Sequence, residues 1–369
     1  MAKVGMQDSL RWLDDPYADW PERFPGRKAI GYFCSYVPLE ILHAAGLTPV
    51  RILQLGSTVA AAHAHFPAFS CAVARTALER LVSSQLGFLN AVVFAHTCDT
   101  MQCLADAWRM VDSSQRVFNF SLPTALGAAG SVEYVLTAHY QLLGELELLS
   151  GVSVSEEALL ASIVLYEERR RLLAELYRAR ESLGAGELWR IMVAGLLMPV
   201  EEHLTLLGRA ISSLSDAPAR FGTGPRLAVA GTALHDGSLL ELIEELGGQV
   251  VADNLCTGER AFQGQVDLQH HSDALAALTA RALERPICPA KHKVGQEAEA
   301  RILELVRSSR ADGVVFVQPK YCDPCAFDYV PQRKALEEAG IPHVVVETET
   351  GACGAQARTR LQALLEMLS

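Results

Sequence analysis

The sequence predicts an α/β protein built from two doubly wound, mainly parallel-sheet domains with a helical segment between them. Three observations carry that expectation: short apolar runs alternate with amphipathic helical stretches toward both ends of the chain, strand signals vanish in the middle, and a Cys-Asp pair appears twice, each time shortly after a buried-strand pattern. With 369 residues, half of them hydrophobic, the chain can bury a large core and is long enough for two domains.

Between Arg27 and about Leu122, PLEILHAAG reads as a helix ending at Gly46, LTPVRIL as a strand, and NAVVFAHTCD as a strand running into a loop. From about Ser131 to Leu214 apolar residues recur at helical spacing, as in Leu159, Ile163, Tyr166, Leu172 and Leu176, and Gly184 with Gly186 is expected to punctuate the end of that helix. The stretch SSLSDAPARFGTGPR, rich in Ser, Pro and Gly, reads as a connection. It divides the chain into residues 1–215, with a helical extension over about 131–214, and residues 216–369. The second part then reads RLAVAG (strand), SLLELIEELGG (helix with a Gly stop), QVVAD (strand), a helix around Leu275 to Leu283, EARILELVRSSRADG (helix), VVFVQ (strand), PQRKALEEAG (helix), PHVVVE (strand) and QARTRLQALLEML (helix). Alternation at this density predicts a parallel sheet covered by helices.

The repeated pairs are Cys98-Asp99, after the run Ala91 to Phe94, and Cys322-Asp323, after Gly313 to Val317. In parallel sheets both thiols then stand at carboxyl ends of strands, where open α/β sheets bind ligands, and one site in the cleft between the domains would use both. Several other chemistries are excluded. A net charge of −11 without a basic stripe argues against nucleic acid. There is no Walker-type phosphate loop, and GTGPRLAVAG fails the dinucleotide pattern because Leu227 stands where the last glycine belongs. Neither a G-x-S-x-G elbow nor an H-E-x-x-H helix occurs. His63 and His65 are expected on the surface, and Cys322 with Cys325 makes a lone C-x-x-C with no second pair for structural zinc. The first residues lack a secretory signal, no apolar run approaches the roughly 18 residues of a membrane span, and nine cysteines then suggest reduced thiols or metal ligation in a cytoplasmic protein.

The segments GYFCSYVPLEILHAAGLTPVRI, HFPAFSCAVARTALE, FAHTCDTMQCLADAWR, ADGVVFVQPKYCDPCAFDYVPQRKALEEAGIPHVVVETE and QARTRLQALLEML occur in that order. Together they resemble the family of 2-hydroxyacyl-CoA dehydratase and benzoyl-CoA reductase subunits, most nearly the smaller, second subunit. The likeness runs from about Lys28 to the C-terminus. It implies a [4Fe-4S] cluster held by three cysteines with one iron left open; matched motif by motif, the ligands fall on Cys71, Cys98 and Cys322. It also implies a heterodimer with a related second subunit, an ATP-hydrolysing iron-sulfur activator protein and an acyl-CoA substrate. The implied reaction is a ketyl-radical elimination of water from a 2-hydroxyacyl-CoA. The alternatives are a benzoyl-CoA-type reductase subunit and a non-catalytic iron-sulfur electron-transfer protein. Some relatives carry a larger double-cubane cluster, for which Cys34, Cys256, Cys288 and Cys325 are available. Pro38 and Glu40 either position the loop beside the cluster or cap a helix, and Cys103 and Cys353 are expected to be packing residues.

Overall fold

Two four-stranded sheets, parallel in every pairing, organise the protein in a computed structural model that describes residues 10–55, 58–214, 224–349 and 354–369. The first sheet contains β1 (Ala29–Tyr32), β2 (Thr48–Arg51), β3 (Leu89–Ala95) and β4 (Arg116–Phe120) in the order β2-β1-β3-β4. The second contains β5 (Arg226–Gly231), β6 (Gln249–Asp253), β7 (Gly313–Pro319) and β8 (His343–Thr348) in the order β6-β5-β7-β8. Each sheet therefore reverses its winding direction between its first and third strands, the place where doubly wound folds open a crevice. The central strands are apolar along their length because helices cover both faces; in β3 every residue but Asn90 is buried, and Asn90 Oδ1 accepts the Ala29 amide at 3.0 Å.

Parallel neighbours need long crossovers, and helices provide them. In the first half these are α1 (Leu39–Ala44), α2 (Ala72–Val82) and α3 (Asp99–Val111). A run of four helices follows: α4 (Ser131–Ser150), α5 (Glu156–Arg178), α6 (Ala185–Leu197) and α7 (Val200–Leu214). The second half adds α8 (Ser238–Glu245), α9 (Ala274–Glu284), α10 (Ala298–Ser309), α11 (Asp323–Glu338) and α12 (Ala355–Leu368). No described helix is long and apolar enough to cross a membrane.

One helix leaves its own sheet. By sequence α9 belongs to the connection from β6 to β7, yet Leu275, Leu278 and Leu283 share a buried cluster with Ile30, Phe120 and Leu142 of the first half. His139 of α4 pairs its Nδ1 with Thr279 Oγ1 at 2.9 Å while stacking on Phe120, and Glu156 of α5 accepts the Ala274 amide at 2.8 Å. This crossing carries the segment after α9 across to the first half.

Some elements differ from their sequence signals. The last long helix of the second half before β8 starts at Asp323, not at Pro331; Pro324 in the first turn needs no amide partner, and the helix continues through Pro331 at the cost of one internal bond. Gly184 and Gly186 open α6 rather than ending α5, which stops at Arg178; Gly186 lies where a Cβ would stand 2.6 Å from the Glu241 side chain. Most of the Ser/Pro/Gly connection falls on residues 215–223, outside the described residues.

Candidate functional site

Six cysteines line one cavity of about 130 Å³ at the carboxyl ends of both sheets. Cys34 follows β1, Cys98 follows β3 and Cys71 precedes α2, so the first half supplies three thiols. Cys256 follows β6, Cys288 follows α9 and Cys322 follows β7, so the second half supplies the other three. The packing of α9 against the first half helps to place Cys288 at this junction.

Three of the six share a local structure. Cys71, Cys98 and Cys322 are the N-cap residues of α2, α3 and α11, so each sulfur lies near first-turn amides of its helix, with no cap hydrogen bond formed by the side chain. Such amides, with the helix dipole behind them, favour a thiolate. Burial opposes this and prevails for the thiols as they stand. It pushes Cys71 up to about 11, with Cys98 adding to the rise, and raises Cys322, with Cys325 and Cys71 adding to it. Burial raises Cys98 as well. Thiols so placed release their protons when a metal takes its place.

The other thiols have different surroundings. Burial pushes Cys34 up to about 12, reinforced by Cys288. Cys256 is gripped by Arg51, which donates to its carbonyl at 2.6 Å and to its Sγ at 2.9 Å. Arg260 and His235 also line the cavity, and no Asp or Glu among the described residues does. Two larger hollows, of about 800 and 520 Å³, share Arg260 and His235 respectively with it.

Cys71, Cys98 and Cys322 are thus brought to one cavity, as are Cys34, Cys256 and Cys288. Cys325 is buried nearby but lies off the wall, its thiol donating to the Val317 carbonyl at 3.6 Å. Cys103 is exposed rather than packed, and Cys353 lies outside the described residues. His63 and His65 are exposed, as expected. Pro38 occupies the N-cap position of α1. Glu40 is buried between helices, its carboxylate bound by Arg170; burial acts to raise its pKa, but Arg170 and then Arg281 outweigh that and hold it at about 2. Neither residue lines the cavity. Arg51, Arg260 and His235 were not singled out in the sequence. For Arg51 a partial signal existed, since a charged residue inside the apolar run LTPVRIL has to find a partner, though its lack of a counter-charge shows only in the fold.

Among the described residues no three Cys, His, Asp or Glu side chains stand close enough to hold a single metal ion. Thiols spread around a cavity suit a group with several metal atoms, in which each ligand binds a different one, and an all-sulfur donor set is the usual choice of iron-sulfur clusters.

The family model of the 2-hydroxyglutaryl-CoA dehydratase D-component matches residues 34–368. The chain belongs to this family. Among its relatives, the (R)-phenyllactyl-CoA dehydratase beta subunit of Clostridium sporogenes is 26% identical over 349 residues, covering 93% of this chain and 92% of that protein. A benzoyl-CoA reductase subunit of Thauera aromatica is 29% identical over 335 residues, covering 88% and 86%. The lactoyl-CoA dehydratase subunit beta of Anaerotignum propionicum is 27% identical over 350 residues, covering 93% and 92%. The relatives of this chain thus include both dehydratase and reductase subunits, and the matched region takes in all six thiols of the cavity.

Proposed function

We propose that this chain is the iron-sulfur subunit of a 2-hydroxyacyl-CoA dehydratase, a lyase, and that Cys71, Cys98 and Cys322 hold a [4Fe-4S] cluster in the cleft between two domains divided near residue 215. The observation that carries the reading is that three cysteines from both halves, each the N-cap of a helix, line the same cavity. When bound, the cluster would supply low-potential one-electron chemistry, which a 2-hydroxyacyl thioester needs because its β-hydrogen becomes acidic only after the one-electron-reduced carbonyl has expelled the 2-hydroxyl as hydroxide.

The chain's own residues contribute a protected site. Helix amides stabilise the three thiolates. Phe33, Ile52, Val73 and Pro319 give the cavity an apolar wall, which disfavours water beside the cluster. In this reading the chain forms a heterodimer with a related second subunit; an ATP-hydrolysing iron-sulfur activator delivers the electron and an acyl-CoA is the substrate. All operate without oxygen in the cytoplasm. Anaerobic co-expression with the sister subunit and activator tests it: redox-neutral loss of water from a 2-hydroxyacyl-CoA is expected, and an assembled, iron-loaded complex that dehydrates no 2-hydroxyacyl-CoA overturns it. Net reduction of an aromatic acyl-CoA with ATP consumed would instead assign the reductase function, to which the similarity with the benzoyl-CoA reductase of Thauera aromatica points.

A second reading is favoured by the thiol count. Six cysteines line the cavity, twice what one cubane with an open iron needs. A double-cubane electron-transfer protein would use Cys34, Cys256 and Cys288 as well. Iron analysis separates the two: about four irons per chain supports the first reading, and about twice that number in a homodimer supports the second.

A further inference from the structure

The cysteine cavity carries two full positive charges that form no ion pair with a carboxylate among the described residues. Arg51, ending β2, and Arg260, in the connection after β6, are only 2% and 3% exposed, and both line the cavity. Arg51 donates to the carbonyl and sulfur of Cys256, and Arg260 donates to the carbonyls of Gly231 and Thr232 at 3.0 Å each. The Nε of each is buried without an acceptor. Asp253 and Asp328 feel Arg260 only at longer range, and each has a nearer arginine, Arg180 at 3.8 Å and Arg301 at 2.8 Å. Among the other buried arginines, Arg75 and Arg170 meet Glu349 and Glu40, while Arg80, Arg169 and Arg285, which also lack a carboxylate, lie over the rings of Tyr17, Tyr166 and Tyr36; Arg51 and Arg260 have neither kind of contact among the described residues. His235 adds a third unmet donor: its Nδ1 accepts the Gln54 amide at 3.2 Å, which leaves the proton on Nε2, and that N–H is also buried without a partner.

A buried guanidinium without a counter-charge is strongly unfavourable, and two of them on one cavity wall, with no carboxylate and no aromatic face against either, favour an anion inside it. Thiolate-bound iron-sulfur groups are anionic overall, and each electron they accept adds negative charge. Fixed positive charge nearby therefore favours the reduced form. Resting on the iron-sulfur reading above, we infer that Arg51 and Arg260 are the built-in counter-charge of the group held by the cysteines, and that their charge on the cavity wall raises its reduction potential.

The test compares anaerobically purified wild type with Arg51→Gln, Arg51→Lys and Arg260→Gln. Iron and acid-labile sulfide are counted per chain, and the midpoint potential is followed by EPR during a redox titration. Arg51→Gln and Arg260→Gln are expected to load iron and to shift the midpoint to more negative values, with Arg51→Lys close to wild type. Loaded Gln variants with an unchanged midpoint overturn the inference. If Arg51→Gln loads no iron, loading restored by Arg51→Lys supports the requirement for charge. Failure of both, together with an unshifted Arg260→Gln, overturns it. Wild type that takes up no iron defeats the iron-sulfur reading itself, and this result is distinct because no variant is then needed to obtain it.

Discussion

The two sheets have the same strand order and direction, and each ends its third strand in a Cys-Asp pair whose cysteine caps the following helix, yet they are supported unequally. The first sheet has α4 and α5 packed beside it and recruits α9 from the other half. The second keeps a smaller cluster on one face, around Ala228, Val314, Phe316 and Leu336, and its edge strand β8 is only partly covered. Topology therefore fixes where the thiols stand, while packing decides how firmly each is held. A site formed by both halves is as rigid as the contact between them, and α9 is a main part of that contact.

The largest expected effect breaks the equivalence of the two Cys-Asp sites. If both cap-position thiols bind one group, Cys98→Ser and Cys322→Ser each remove most of the iron and the brown chromophore, and Cys71→Ser does the same, whereas exposed Cys103→Ser changes nothing. Full iron retention in either of the first two, measured per folded chain, would detach that half from the site.

Next in size is the support of the first half. Glu40→Ala removes the fully buried partner of Arg170 and leaves it only the half-buried Glu167, which costs on the order of 3 kcal/mol in unfolding free energy. Iron content per folded chain is expected to stay unchanged, because Glu40 does not line the cavity; loss of iron at unchanged stability would return Glu40 to the site.

The junction at α9 yields a pH signature. Burial holds the His139 imidazole down at about 4, with the charge of Glu40 opposing, against an ordinary value near 6.5. Between those values the unfolded chain binds the proton and the folded one does not, so stability falls as pH drops from about 6.5 to about 4 and is intact above that window. The size of this contribution is on the order of 3 kcal/mol. Urea unfolding across the window should show a shallower slope for His139→Gln than for wild type; identical slopes would refute the buried, neutral histidine. Smaller again, Thr279→Val removes the Oγ1 that meets His139 Nδ1 and should cost about 1–3 kcal/mol by the same assay.

Much of this was legible in the sequence. The runs around β3 and β7 and the Cys-Asp pairs behind them pointed to the sheets and to two of the proposed ligands, because a buried central strand is a continuous apolar run. β1 and β4 were not named: AIGY is short and contains a glycine, and RVFNF alternates with polar residues, so neither stands out from a loop. The position of α9 was not legible either, since its apolar stripe says that it must pack but not on which half. Cys34, Cys256 and Cys288 were seen as available thiols, but only the folded chain puts them on the same wall as the cap-position three. Arg51 and Arg260 were missed because what marks them is the lack of a counter-charge, a property of three dimensions.

Anomalous diffraction at the iron edge, from crystals grown without oxygen, tests the central claim most directly. The account predicts a compact iron signal inside the cavity, in contact with Sγ of Cys71, Cys98 and Cys322. Iron bound elsewhere, or a signal touching thiols of only one half, would contradict it.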